Sequence, residues 1–345
     1  MNVEVEITPV SPIHQTLEQV ELIEDFSATR LGISDVVLFR DVYSTMAICA
    51  QNTNQILIGP LVTNPYLRHP VSTAASFATL NEISTGRMFL GIGVGSGISQ
   101  LGFSKANPAK ILEEFLLIFK RLLIGEAVEF HGNYFTIDKV ALPQELTAEI
   151  PIVIGTRSEQ VCKLAGNLAD GVVIGAREIS RHALSQYVSW IEEGAGNAGR
   201  KLDEIEISPR VTVCISNDRE AALRSVVLYT AHYSTLGSYD ESTMPREEYE
   251  SIRHLANQAS GWYFESNVVY PEELNTLITP KLIDKFAIAG TPSDCLKKFQ
   301  MIKDIGFDSV SINIAAVRRP TAGIHEGTME TLEGLQTIMP EILAI

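Results

Sequence analysis

The feature that most constrains this chain is a repeated change of hydrophobic period, from short apolar runs of strand character to longer runs with helical spacing. Residues 3–7 read as a strand. In the segment that follows, SPIHQTLEQVELIEDF, Ser11 stands as N-cap and Pro12 at the first helical position. Leu17, Val20, Ile23 and Phe26 then recur at helical spacing. The pattern returns with a strand over 29–34 before VYSTMAICAQN, a strand over 55–59 before VSTAASFATLNEIS, and a strand over 88–93 before the helix around ILEEFLLIFKRLL. AVEFHGNYFTIDKVALP breaks the rhythm as a short hairpin excursion; IPIVIG with EQVCKLAGNLA, and then DGVVIGA, resume it. IEISPRVTVCIS reads as a seventh strand, followed by the helical REAALRSVVLYTAHY, and DSVSINIA as an eighth.

Eight strands alternating with helices long enough for right-handed crossovers predict an α/β fold, a parallel sheet closed into a (β/α)8 TIM barrel. A doubly wound open sheet is the alternative. At 345 residues the chain has the length that one such barrel reaches, and no Pro/Gly/Ser linker divides it, so a single domain over 1–345 is expected. Two stretches exceed the minimal repeat and read as insertions, near 126–150 and 234–285, the second rich in aromatic and charged residues.

Apolar residues make up 45% of the chain and charged residues 20%, enough apolar material for a substantial core. The net charge of -15 speaks against nucleic acid or an anionic membrane as partner, because both are held through clustered Lys and Arg. An anionic ligand would need a local basic pocket. Cys49, Cys162, Cys214 and Cys295 are widely spaced, with no CxxC pair to suggest a metal site, and read as core thiols. The first residues lack the basic and apolar regions of a signal peptide. The longest apolar stretch, FLLIFKRLLIG, is broken by Lys120 and Arg121. A cytoplasmic protein is expected.

In a parallel barrel the active site forms where the strands end at their C-terminal side. Glu6 ends the first strand, where alternation puts Val3, Val5 and Ile7 on one face and Glu4 and Glu6 on the other. If Glu6 points into the barrel, burial suits it to proton transfer; otherwise it is a solvated strand-end carboxylate. Asp35 ends the second strand, either at the barrel mouth beside Glu6 or as a turn cap. The third strand leaves through GPLVTNPYLRHP, which holds three prolines and a glycine in twelve residues. There His69 reads as a helix start more than as a catalyst, because Pro70 follows it.

GIGVGSG, with Gly93, Gly95 and Gly97, is a weak match to a dinucleotide fingerprint; glycines here let backbone approach a flat ligand. Gly155-Thr156-Arg157 and Gly175-Ala176-Arg177 each join a strand to a helix, either as ordinary turns or as places where free N–H groups receive phosphate. No HExxH, Walker or nucleophile-elbow motif occurs.

The run ILIGPLVTNPYLRHPVSTAASFATLNEISTGRMFLGIGVGSG closely resembles the bacterial luciferase-like superfamily, in particular its branch that uses the deazaflavin coenzyme F420, typified by methylenetetrahydromethanopterin reductase. FRDVYSTMAICA, FHGNYFTIDKVALP, IPIVIGTRSEQVCKLAGNLADGVVIGA and LIDKFAIAGTPSDCLKKFQMIKDIGFDSV extend the resemblance over nearly the whole chain. It implies a barrel with insertions, a homodimer or larger homo-oligomer, and a flat redox ring held at the strand C-termini. It implies Glu6 as proton donor or polariser and Asp35 as a ring-contacting carboxylate. It also implies Leu61, Val62, Thr63 and Asn64, together with Gly93, Val94, Gly95, Gly155, Thr156, Arg157, Gly175 and Ala176, as the cofactor-binding set. A non-prolyl cis peptide, expected between Leu61 and Val62, would form a bulge behind the ring.

Two departures stand out. Many relatives have Asp-His at the end of the second strand where Val36 follows Asp35, and Leu61 replaces a common glycine. Without that histidine the pterin substrate of the reductases does not simply carry over, and the resemblance predicts an F420-dependent oxidoreductase passing a hydride between deazaflavin and a small organic substrate, pterin-like or other. An FMN-dependent monooxygenase is the alternative and a non-catalytic flavin-binding barrel a third. Tyr43, Trp262, Tyr263 and Phe264 are candidates to line an apolar substrate pocket, with core packing the blander fate of each.

Overall fold

A computed structural model describes residues 1–95, 98–103, 107–143, 146, 148–176, 178–237, 239, 241, 243–261, 265 and 267–345. Trp262, Tyr263, Phe264, Gly97 and Arg177 lie outside the described residues. The first four units are β1 (Asn2–Ile7), α1 (Ile13–Asp25), β2 (Arg30–Ile33), α2 (Val42–Gln51), β3 (Leu57–Pro60), α3 (Pro70–Ile83), β4 (Leu90–Ile92) and α4 (Pro108–Leu123). A hairpin of β5 (Val128–His131) and β6 (Thr136–Val140) forms the first excursion. β7 (Ile152–Thr156), α5 (Glu159–Leu168), β8 (Gly171–Ile174), α6 (Arg181–Asn197) and β9 (Glu206–Ile215) follow. α7 (Arg219–Ser225) and α8 (Val227–Ser234) come next, and the second excursion holds α9 (Arg246–Ala256), α10 (Leu274–Leu277) and α11 (Pro280–Phe286). The chain ends with β10 (Ala287–Gly290), α12 (Pro292–Ile305), β11 (Ser309–Ile314) and α13 (Ile324–Ala344).

The strand order is β3-β2-β1-β11-β9-β8-β7-β4, with every pairing parallel. Parallel bridges Ile58 to Met88 and Thr63 to Ile92 bring β3 back against β4, so the eight strands form a nearly closed barrel. Three details differ from the sequence reading. Pro12, not Ser11, is the N-cap of α1, and it makes no side-chain cap. The predicted helix over REAALRSVVLYTAHY is two, α7 and α8, breaking at Val226. A further strand, β10, pairs with Thr212–Ile215 of β9; at four residues ending in glycine it has too little alternation to read as a strand.

Alternation in β1 holds as expected. Val3, Val5 and Ile7 join the large apolar cluster between sheet and helices, whereas Glu4 and Glu6 are buried polar residues on the opposite, inner face. The barrel interior is divided. On one side Leu57, Leu61, Val62, Phe89, Val153 and Val173 make a separate apolar cluster. On the other the inner faces of β1, β2, β9 and β11 are polar. Arg30 Nε donates to Glu4 Oε2 at 2.9 Å, and its two terminal nitrogens donate to Glu206 at 3.0 and 2.9 Å, with the Arg30 guanidinium 5.7 Å from the centre of the Phe89 ring. Burial pushes the Glu4 carboxyl up despite the adjacent Arg30. This ionic floor closes the barrel below the strand ends.

Candidate active site

Above that floor, Glu6 is 4% exposed and both of its oxygens are engaged. Ser34, just past β2, donates its hydroxyl to Oε1 at 2.7 Å, and Arg210 of β9 donates Nε to Oε2 at 2.5 Å. Thr8 Oγ1 lies 3.2 Å from the Ser34 hydroxyl. Glu6 is therefore not a lone carboxyl in an apolar barrel, the condition under which burial alone would suit it to carry a proton; a guanidinium shares the interior with it. At the level of Glu6, its register partner Asn313 of β11 donates Nδ2 to Thr212 Oγ1 of β9 at 3.1 Å.

Asp35 differs in kind. Thr63 donates its hydroxyl to Asp35 Oδ2 at 2.7 Å, and burial is the leading cause that raises this carboxyl above the ordinary aspartate range. Asp41 adds to the rise; Thr63 and Arg68 oppose it. Tyr43, behind Thr63, is buried, meets Phe77 edge-on at 6.2 Å between centroids, and carries the Arg68 guanidinium 3.9 Å from its ring centre. Tyr43 thus packs in the core beside the site.

The exit from β3 links these groups. Leu61 N donates to Ile33 O of β2, Thr63 N to Gly91 O of β4, and Gly93 N to Thr63 O, so the segment spans the gap between two strands. Its Leu61-Val62 peptide is cis, as expected. Both side chains turn inward onto glycines. A Cβ on Gly32 would lie 2.7 Å from Leu61 Cβ, and one on Gly155 would lie 2.7 Å from Val62 Cγ1. One on Gly93 would fall 2.6 Å from Gly155 O and 2.9 Å from Val62 Cγ2.

The space at Gly93 and Gly155 is thus taken up by the bulge itself, whereas Gly93 was expected to let backbone approach a flat ligand and Gly155 to form an ordinary or a phosphate-receiving turn. Gly175 is similar, since a Cβ there would meet Arg157 Cγ at 2.8 Å. Gly95, at φ +73°, needs glycine for its backbone and touches Asn64.

After the bulge, Asn64 Oδ1 accepts from Tyr66 N and Leu67 N at 3.0 and 3.1 Å, while its buried Nδ2 has no partner among the described residues. His69 caps α3, its Nδ1 accepting from Val71 N at 3.3 Å ahead of Pro70, as its sequence context indicated. Burial lowers its imidazole.

The two candidate phosphate turns are unlike. Gly155, Thr156 and Arg157 lead directly into α5, but the Ser158 N–H there is taken by Thr156 Oγ1 at 3.0 Å. Gly175 and Ala176 do not open a helix: α6 starts at Arg181, capped by Ser180, and Gly175 N donates to Thr156 O. Val94 packs partly buried against the core.

Sequence reasoning missed Ser34, Arg210, Tyr229 and Tyr233. The last two stack with centroids 4.2 Å apart on α8, and the Arg157 guanidinium lies 6.0 Å from the Tyr233 ring centre. Burial, with Tyr233 beside it, pushes the Tyr229 hydroxyl far up. The available signal was the alternation Ser208, Arg210, Thr212 in β9, which places one unbroken polar face inward. Among the described residues no cluster of His, Cys, Asp and Glu could hold a metal, and no helix is long and apolar enough to cross a membrane. The four cysteines are free and buried.

Glu6 and Asp35 at the C-terminal ends of parallel strands, beside a bulged exit from β3, lie where parallel β/α barrels carry their active sites. The sequence model of the luciferase-like monooxygenase family matches residues 3–309, and the chain belongs to that family. Within it, the chain is 30% identical over 309 residues to the 5,10-methylenetetrahydromethanopterin reductase of Methanolobus tindarius, covering 89% of this chain and 92% of that protein. It is 25% identical over 261 residues to the F420-dependent glucose-6-phosphate dehydrogenase of Nakamurella multipartita, covering 74% and 70% of the two chains. The fold matches that of the coenzyme F420-dependent tetrahydromethanopterin reductase from Methanopyrus kandleri with a TM-score of 0.81 at 24% identity, over 99% of both chains.

Proposed function

We propose that this protein is a coenzyme F420-dependent oxidoreductase that transfers a hydride between the deazaflavin and a small organic substrate of the pterin class. The similarity to F420-dependent reductases along nearly the full chain carries the reading. The residues present fit the group. A flat ring with one hydrogen-bonding edge needs an apolar wall beside a donor, and the bulge supplies both: Leu61 and Val62 belong to the apolar half of the barrel, and the orphaned Asn64 Nδ2 two residues on is a buried donor. Leaving such a donor unsatisfied costs about 1–3 kcal/mol, which an acceptor on a bound ring offsets.

Leu61, Val62, Thr63 and Asn64 would hold the ring, with Gly93, Val94 and Gly95 supporting the bulge from β4. Gly155, Thr156, Arg157, Gly175 and Ala176 would line the side toward the phosphate-bearing tail, with Arg157 as its exposed cation. When bound, the deazaflavin supplies the two-electron hydride chemistry. Glu6 and Asp35 are the acting carboxylates. Thr63 occupies Asp35 Oδ2, which leaves Oδ1 to hold or release a proton, and burial keeps that proton on the carboxyl to higher pH. Glu6, held between Ser34 and Arg210, polarises the reacting centre. With Val36 in place of the histidine of many relatives, the substrate contact on that side falls to other groups. A cytoplasmic homodimer or larger homo-oligomer belongs to the same reading.

Difference spectra of the purified protein titrated separately with oxidised F420 and FMN test the cofactor. Deazaflavin binding, followed by substrate-dependent change in its absorbance with a methylene-pterin, is the expected result. Tight FMN binding with no deazaflavin binding would overturn the proposal and leave the monooxygenase reading.

A further inference from the structure

Arg210 carries no role in the reading above beyond its contact with Glu6, and that contact is unusual for a barrel interior. The two residues are 204 positions apart, on strands separated by β11, and Arg210 crosses that strand to place Nε 2.5 Å from Glu6 Oε2. The Glu6 side chain is 6% exposed and that of Arg210 20%. In so buried a pair, removing one partner strands the charge of the other.

We propose that Arg210 is the positioning residue of the active site: it fixes the Glu6 carboxylate between its own Nε and the Ser34 hydroxyl, and it keeps Glu6 an anion. The proton of the reaction then resides on Asp35, which has a hydroxyl donor and, among the described residues, no guanidinium bonded to it. The other ionisable groups of this interior do not replace Arg210. Arg30 is committed to Glu4 and Glu206 in the floor below, Tyr229 approaches from α8 with its proton held by burial, and Arg157 lies over Tyr233 at the rim. Only the kinetic part of this inference rests on the F420 reading.

Infrared spectroscopy of the full-length, ligand-free protein, with Glu6→Gln to assign the band, reads the protonated carboxyl stretch of Glu6 without any cofactor. At neutral pH the band is expected to be absent in the native protein and present in Arg210→Met. In the deazaflavin-loaded enzyme, Arg210→Met is expected to lower kcat on the order of 10²-fold with little change in KM, because a displaced carboxylate loses alignment, and to shift the pH-rate profile with the infrared band. If Arg210→Met does not fold, Arg210→Lys decides: its Glu6 band must emerge at higher pH than in the native protein. A protonated Glu6 in the native protein at neutral pH, or Glu6 protonation and a pH profile indifferent to either substitution, would overturn the proposal. Failure to bind F420 would sink the cofactor reading and leave the infrared result to stand by itself.

Discussion

Gly155→Ala tests whether the wall at the barrel mouth is built by packing. The added Cβ would sit 2.7 Å from Val62 Cγ1, about 1 Å inside the optimal carbon–carbon separation of roughly 3.5–4.0 Å. Val62 is β-branched, so its χ1 has little freedom to turn the methyl away, and Gly93 closes the other side. Overpacking of this kind costs about 1–3 kcal/mol. Val62→Ala alone removes two methyl groups from the same contact and costs a similar roughly 1–3 kcal/mol through lost burial and a small cavity.

The two losses should not add. In Val62→Ala/Gly155→Ala the new methyl occupies space that the valine has vacated, so the double variant is expected to be no less stable than the worse single one, a coupling of about 1–3 kcal/mol. Urea unfolding of the four proteins followed by circular dichroism measures the cycle, and titration with oxidised deazaflavin reports the wall; Gly155→Ala is expected to bind more weakly than native. Strict additivity of the stability losses would refute the account of Gly155, and native stability of Gly155→Ala would refute it more directly.

Asp35→Asn is expected to raise the melting temperature at neutral pH while abolishing turnover. Burial raises the Asp35 carboxyl in the folded state, so the stability linked to its proton is present at acid pH and lost as pH rises through the raised value, whereas the amide is neutral throughout. The gain should vanish below the ordinary aspartate value of about 3.9; an equal gain at every pH would contradict the assignment. Glu24 gives the opposite sign. Burial opposes its ionisation, but the N–H groups of Gln55, Asn54 and Ile56 and the charge of Arg87 outweigh it and hold the carboxyl below its usual range. Glu24→Gln should therefore lower the melting temperature at neutral pH, and the deficit should shrink as pH falls through that depressed value; a deficit constant with pH would sink this reading.

Much of the fold was legible along the chain because a barrel strand and its helix each leave a local period. GPLVTNPYLRHP announced a stiff exit from β3 and the cap at His69 lies where that stretch placed it, while the cis peptide at Leu61-Val62 lies where the family resemblance placed it. Glu6 and Asp35 were found as polar residues at strand ends. The glycines were read with less success. Gly93 looked like a place for backbone to approach a flat ligand because sequence shows only the missing side chain, whereas the space beside it is filled by Val62 from the exit of β3. β10 escaped because four residues of β9 define it as a strand, and those lie some 75 positions away.

The sequence by itself determined the alternation of strands and helices, the inward face of β1, and the rigid path out of β3, since each depends on neighbours within a few residues. Only the tertiary structure decided what those inward groups meet. Closure of the barrel brought Arg210 to Glu6 across 204 positions, set Thr63 against Asp35, and separated a polar half of the interior from an apolar half. Burial and ion pairing depend on distances between strands, which no local period encodes. For that reason two carboxylates that looked alike in the sequence meet different partners, Glu6 a guanidinium and a hydroxyl and Asp35 the hydroxyl of Thr63.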